Sequence, residues 1–108
     1  MKEIKAYIKE SRQDAVTCAL HQIAGLTGAS FSKVLGFGRG KDQSSGYKPD
    51  TDPSGYVHHV KVEVVCTEDL VGSVISAIHH AAHTGLRGDG RIFVSSIERD
   101  VRIQSKPS

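Results

Sequence analysis

The sequence has no tryptophan and no asparagine, three phenylalanines, three tyrosines, two cysteines, and no apolar run near the ~20 residues that cross a bilayer. Each shortage removes a class of protein. The missing apolar run argues against a membrane span. Cys18 and Cys66 stand far apart, outside any C-x-x-C arrangement, so neither a disulfide framework nor a zinc ribbon is available and both read as free thiols. Met1-Lys2-Glu3-Ile4-Lys5 enters an alternating pattern at once, with no signal-peptide hydrophobic region, which places the expected location in the cytoplasm. A formal net charge of +2, with acids mixed among the bases, creates no field that demands nucleic acid. No internal repeat is visible at 20 to 50 residues.

What remains is a chain of 108 residues, the size of one domain with one core. A domain this small hides only about two thirds of its unfolded surface, so self-association would add useful burial. Lys2 to Lys9 alternates, with Ile4, Ala6 and Ile8 on one face, and predicts a half-buried strand. Ser11 is placed to cap a helix carrying Val16, Ala19, Leu20 and Ile23, which Gly25 ends. From Ala29 the period returns to two, with Phe31, Leu35 and Phe37 on one face of a second strand. Lys41 to Tyr56 collects Gly, Pro, Ser, Asp and Thr and predicts a long loop, a kind that tends to be functional.

Val57 to Cys66 predicts a third strand with Val60, Val62, Val64 and Cys66 on one face. Thr67 opens a helix whose first turn holds Glu68 and Asp69 and whose stripe is Leu70, Val71, Val74, Ile75, Ile78 and Ala82, ending before Gly85. Arg91 to Ser96 predicts a fourth strand, and Asp100 to Gln104 a short final one. The fold class is therefore α+β: a ferredoxin-like βαββαβ domain, an antiparallel sheet with two helices on one face. That architecture hosts many functions, so function must come from sites.

Gly88-Asp89-Gly90, between a helix and a strand, lets backbone N–H groups converge on an anion, with Arg87 and Arg91 supplying charge. The alternative is a helix C-terminal turn that needs glycine for its backbone angles alone. Gly36-Phe37-Gly38-Arg39-Gly40 offers a second set of donors at the mouth of the long loop, or else bulge and turn residues. His79, His80 and His83 fall on the polar face of the second helix with no third ligand type beside them, so a solvated face is expected and no metal site.

Four segments in order, K-E-I-K-A-Y-I-K at Lys2 to Lys9, V-L-G-F-G-R-G-K at Val34 to Lys41, V-K-V-E-V-V at Val60 to Val65 and T-G-L-R-G-D-G-R-I-F-V at Thr84 to Val94, resemble the PII signal-transduction family over nearly the whole chain. The resemblance implies a homotrimer with an adenine nucleotide (ADP, AMP or ATP) in each cleft between neighbours. It implies a T-loop at about 39–57 that contacts a protein target, and a B-loop at about 84–91. Gly36, Phe37, Gly38 and Arg39 match the base of the T-loop beside the phosphates, and Gly88, Asp89, Gly90 and Arg91 match the phosphate cradle, which Thr84 precedes. Gly28, Ala29, Ser30, Glu63 and Val65 match the adenine side. Arg102 matches a late-strand arginine that reaches the nucleotide from the adjacent subunit.

The chain departs from the family at four places. Gly40 replaces the glutamine that completes a magnesium and 2-oxoglutarate site, and His59 replaces the lysine that engages 2-oxoglutarate, so the usual second signal loses its ligands and the place of Mg2+ stays open. Gln104 replaces a second late arginine, which predicts that ADP or AMP competes well with ATP. Asp52 stands where some members carry a modified tyrosine, so uridylylation is not expected, and the loop's target, a transporter or a protein of carbon or nitrogen metabolism, differs from the usual ones. Family offshoots linked to carboxysomes respond to bicarbonate, and Arg39, Gly40 and His59 form a candidate site for that small anion. Two other readings share the architecture. An RNA-binding module would need stacking aromatics on its central strands, where Val and Lys stand, and a phosphate-handling enzyme of the Arg/Asn type would need the asparagine the chain lacks. With no activated nucleophile in view, no enzyme is expected.

Overall fold

A computed structural model describes residues 1–37 and 55–104. Strands β1 (Lys2–Lys9), β2 (Ser30–Gly36), β3 (Val57–Cys66) and β4 (Arg91–Ser96) form one sheet in the order β2-β3-β1-β4, every neighbouring pair antiparallel. Helices α1 (Gln13–His21) and α2 (Val71–Ala82) connect strands that are separated by one other strand. This is the ferredoxin-like α+β arrangement that the chain's periodicities predict. Most of the long loop, residues 38–54, lies outside the described residues, as do 105–108.

The core forms where alternation and helical spacing meet. Ile4, Ala6 and Ile8 of β1 and Val60, Val62, Val64 and Cys66 of β3 turn toward Val16 and Leu20 of α1 and Val74, Ile78 and Ala82 of α2. Among the described residues nothing polar is buried, so the fold rests on apolar burial with no desolvated charge to offset it. The Arg12 Nε donates to the Ala81 carbonyl at 2.8 Å and ties the start of α1 to the end of α2. Cys18 and Cys66 are free thiols, and burial, then the nearby Asp69 carboxylate, push the Cys66 thiol's pKa up, leaving it a packing residue.

Three expectations need correction. Ser11 does not cap α1 but lies in a 3-10 turn at Glu10–Arg12, and Arg12 holds the cap position. Phe31 packs on the core, yet Leu35 is exposed and Phe37 follows the end of β2 in solvent, because β2 is an edge strand whose far half no helix covers. Asp100–Gln104 forms no strand: it runs irregularly into a turn at 103–104, with Val101 and Ile103 exposed, because among the described residues no strand edge pairs with it. Among the described residues, no helix is long and apolar enough to cross a membrane.

Candidate functional site

The segment between α2 and β4 is built on glycines whose backbone angles other residues resist. Gly85, Gly88 and Gly90 have φ of 80°, 82° and 103°, so the chain turns left-handed three times within six residues. Gly90 also lies against β1: a Cβ there would stand 1.6 Å from the Tyr7 carbonyl oxygen. These glycines are thus required by the turn itself and by close approach to the sheet.

Asp89 ties the loop together. One of its carboxylate oxygens accepts from the backbone N–H of Thr84 at 2.9 Å and of Gly85 at 3.0 Å, and the other accepts from the Thr84 hydroxyl. The Thr84 hydroxyl oxygen in turn accepts from the Leu86 N–H at 3.1 Å. The Lys9 ammonium, at the end of β1, lies 3.5 Å from the Asp89 carboxylate and donates to the Thr84 hydroxyl at 3.3 Å. The Thr84 hydroxyl, first, and the two N–H donors with Lys9 stabilise the anion and lower the Asp89 pKa from 3.8 to about 2 against a desolvation that opposes it. Because the folded value is depressed, the stability it contributes is complete above pH 4 and is lost as pH falls toward 2. In a proton titration of the folded chain, the Thr84 and Gly85 amide resonances should therefore shift with a midpoint near 2. A midpoint near 3.8 would show the carboxylate to be unbound to them.

The carboxylate of Asp89, one of the residues expected at the phosphate cradle, faces the loop's own donors. Lys9, which motif reading passed over as a polar-face residue of β1, completes the arrangement. His59, on β3 directly opposite Lys9, places Nε2 3.4 Å from the Gly88 carbonyl. It thus faces the loop, while Arg39 and Gly40, its expected companions at a small-anion site, lie outside the described residues together with Gly38. The Arg91 guanidinium sits 5.5 Å over the Phe93 ring, and Phe93 meets Tyr7 edge-on at 6.3 Å, on the sheet face away from the helices. A cleft of about 310 Å³ beside the loop is lined by Ile78, His79, His83, Asp89 and Arg91 among others. His79 and His83 stack at 5.6 Å, but among the described residues no group of three or more His, Cys, Asp or Glu is placed to hold a metal ion.

The remaining expected residues divide between the two ends of β2 and β3. Ser30 pairs with Glu63, whose neighbour on the same face is Val65, and Gly28 and Ala29 lead into Ser30. Gly36 pairs with Val57 at the other end of β2, followed by Phe37, six residues and about 20 Å from Ser30. Arg102 is exposed beyond Ser96, the end of β4 far from Arg91. One chain therefore does not bring its two sets of candidate residues together.

The sequence profile of the family described as "P-II: Nitrogen regulatory protein P-II" matches residues 1–106. The chain belongs to the P-II family. Proteins named Nitrogen regulatory protein P-II are similar to it over nearly all of their length. That of Azospirillum brasilense is 42% identical over 105 residues, covering 97% of this chain and 93% of its own. That of Bradyrhizobium diazoefficiens is 42% identical over 108 residues, 100% of this chain and 96% of its own, and that of Mesorhizobium japonicum is 44% identical over 105 residues, 97% and 93%. Membership of the P-II family makes the chain a signalling regulator rather than an enzyme. The Thr84–Arg91 loop of this P-II chain is a glycine-built turn at one sheet end, internally tied, with Gly88 beside His59 near the start of β3.

Proposed function

We propose that this P-II chain forms a trimer, binds an adenine nucleotide in the clefts between copies, and through residues 40–56 controls a partner protein of nitrogen or carbon metabolism or transport. The observation that carries the reading is the split placement of the site. Gly36, Gly88 and Arg91 lie toward one end of the sheet, whereas Ser30, Glu63 and Val65 lie toward the other end of β2 and β3, so a second copy must supply the missing half. Gly88 and Gly90, held left-handed, and the Arg91 guanidinium would receive the phosphates, with Arg91 leaving the Phe93 ring to do so. Gly28, Ala29, Ser30, Glu63 and Val65 of a neighbour would meet the adenine, and a neighbour's Arg102 would reach over it.

A bound nucleotide can act on the loop only through unequal affinity for its two states, so the phosphate contacts must be stronger in one of them. His59, at the loop exit and against Gly88, is the described residue best placed to feel that difference. With Gly40 and His59 in place of the family's 2-oxoglutarate ligands, the second signal is a smaller anion such as bicarbonate, or is absent.

Calorimetric titration with ATP, ADP and AMP, each with and without 2-oxoglutarate or bicarbonate, tests the reading, and light scattering tests the trimer. Binding of ADP or AMP on a par with ATP is expected, with no 2-oxoglutarate effect. Arg91→Ala should weaken ADP binding by about 10- to 100-fold, the worth of one charge-assisted contact to phosphate. Silence with all three nucleotides would overturn the proposal; a missing bicarbonate effect in the presence of ADP would remove that arm alone.

A further inference from the structure

The P-II loop carries a carboxylate where a phosphate is proposed to bind, and that conflict needs a physical resolution. Two like charges in one small site repel, and an unshielded Asp89 would weaken binding of any phosphorylated ligand. The structure provides the resolution in Lys9. Its ammonium lies 3.5 Å from the Asp89 carboxylate, and the two side chains are 14% and 23% exposed, partly covered by the loop and strand around them. The carboxylate's acceptors are turned inward onto the Thr84 and Gly85 N–H groups and the Thr84 hydroxyl.

We propose that Lys9 and Asp89 are positioning residues: Asp89 staples the loop through Thr84 and Gly85, and Lys9 cancels the staple's charge so that the preset loop accepts a phosphate group. The inference rests on the nucleotide-binding reading above. Asp89 then serves the site without touching the ligand. The low pKa of Asp89, about 2, accords with a carboxylate that stays ionised while so engaged. Lys9 is fixed by β1, and the carbonyl of Tyr7, two residues earlier on the same strand, is the surface on which Gly90 rests, so strand and loop are joined by packing and by charge close together. His59 adds a second tie from β3 to the adjacent Gly88 carbonyl.

Two measurements on the full chain separate the parts of the proposal. Amide hydrogen exchange without ligand reads the staple: Thr84 and Gly85 should exchange about tenfold faster or more in Asp89→Asn, while core amides of β1 and β3 keep their wild-type rates. Titration with adenosine, AMP, ADP and ATP reads the charge. Lys9→Met should leave adenosine unchanged and weaken the nucleotides progressively with phosphate number, to about tenfold for ATP, and Lys9→Arg should restore most of the loss. The loss of ATP affinity caused by Lys9→Met should be smaller in the Asp89→Asn background than in the wild-type one, since no uncompensated carboxylate remains there.

Unchanged exchange in Asp89→Asn overturns the staple. An equal loss for adenosine and ATP, or an equal effect of Lys9→Met in the Asp89→Asn and wild-type backgrounds, overturns the charge role of Lys9. Wild-type protein that binds no nucleotide overturns the functional reading and with it the phosphate half of this inference, while exchange still decides the staple.

Discussion

Gly90→Ala should be among the most damaging single-methyl changes in the described part of this P-II chain, costing about 3 kcal/mol or more of stability. Two independent effects combine there. A φ of 103° is a conformation that side-chain-bearing residues resist, and the added Cβ would meet the Tyr7 carbonyl oxygen at 1.6 Å and its carbon at 2.7 Å. Neither neighbour is the flexible end of a side chain; both are backbone of a central strand paired on both sides. Relief therefore requires the loop to lift off β1, which separates Asp89 from Lys9 and disturbs the start of β4. Urea denaturation should register the loss directly. Gly28→Ala is the matched control, since its Cβ would meet nothing within 4 Å, and it should fall within about 0.5 kcal/mol of the wild type. Equal midpoints for the two variants would show that the loop does not rest on Tyr7.

That the loop needs its glycines could be read from Gly88-Asp89-Gly90 ahead of an apolar run; why it needs them could not. Glycine before a strand fits an anion cradle and a bare turn equally well. The contact that makes Gly90 obligatory comes from Tyr7, more than eighty residues earlier, and is a matter of tertiary approach. Lys9 was hidden for the same reason. On β1 it alternates with Ile8 as any solvated lysine would, and only the folded chain reveals the Asp89 carboxylate beside it.

The core was legible because periodicity is local. Ile4, Ala6 and Ile8, then Val60, Val62 and Val64 of β3, and Val74, Ile78 and Ala82 announce their faces by spacing alone, and all are buried. Periodicity failed where it continued past the supply of partners. Leu35 keeps the alternation of β2 but outruns the helix layer, and Val101-Arg102-Ile103 alternates like a strand yet pairs with none of the described strands. An exposed apolar alternation of that kind, with Phe93 and Leu86 also open, is surface that a single P-II subunit leaves uncovered.

Ile78→Ala tests how the chain's one core and that uncovered surface share the stability. Ile78 is 1% exposed, between the sheet and α1, and removing its outer carbons leaves a cavity costing about 2–5 kcal/mol. Domains of this size hold only about 5–15 kcal/mol in total, so the urea midpoint should fall by roughly 1 M or more. Nothing polar is buried near Ile78 among the described residues, so the loss should be one of packing alone and independent of pH across the neutral range. Ile78 sits on the helix side of the sheet, whereas Tyr7, Arg91 and Phe93 occupy the other face. If three copies associate through surface away from Ile78, the midpoints of wild type and variant should both rise with protein concentration, and by the same increment, because unfolding then includes dissociation. A wild-type midpoint that stays fixed over a hundredfold range of concentration would count against association coupled to folding, leaving the proposed nucleotide site without the second copy that the proposal requires.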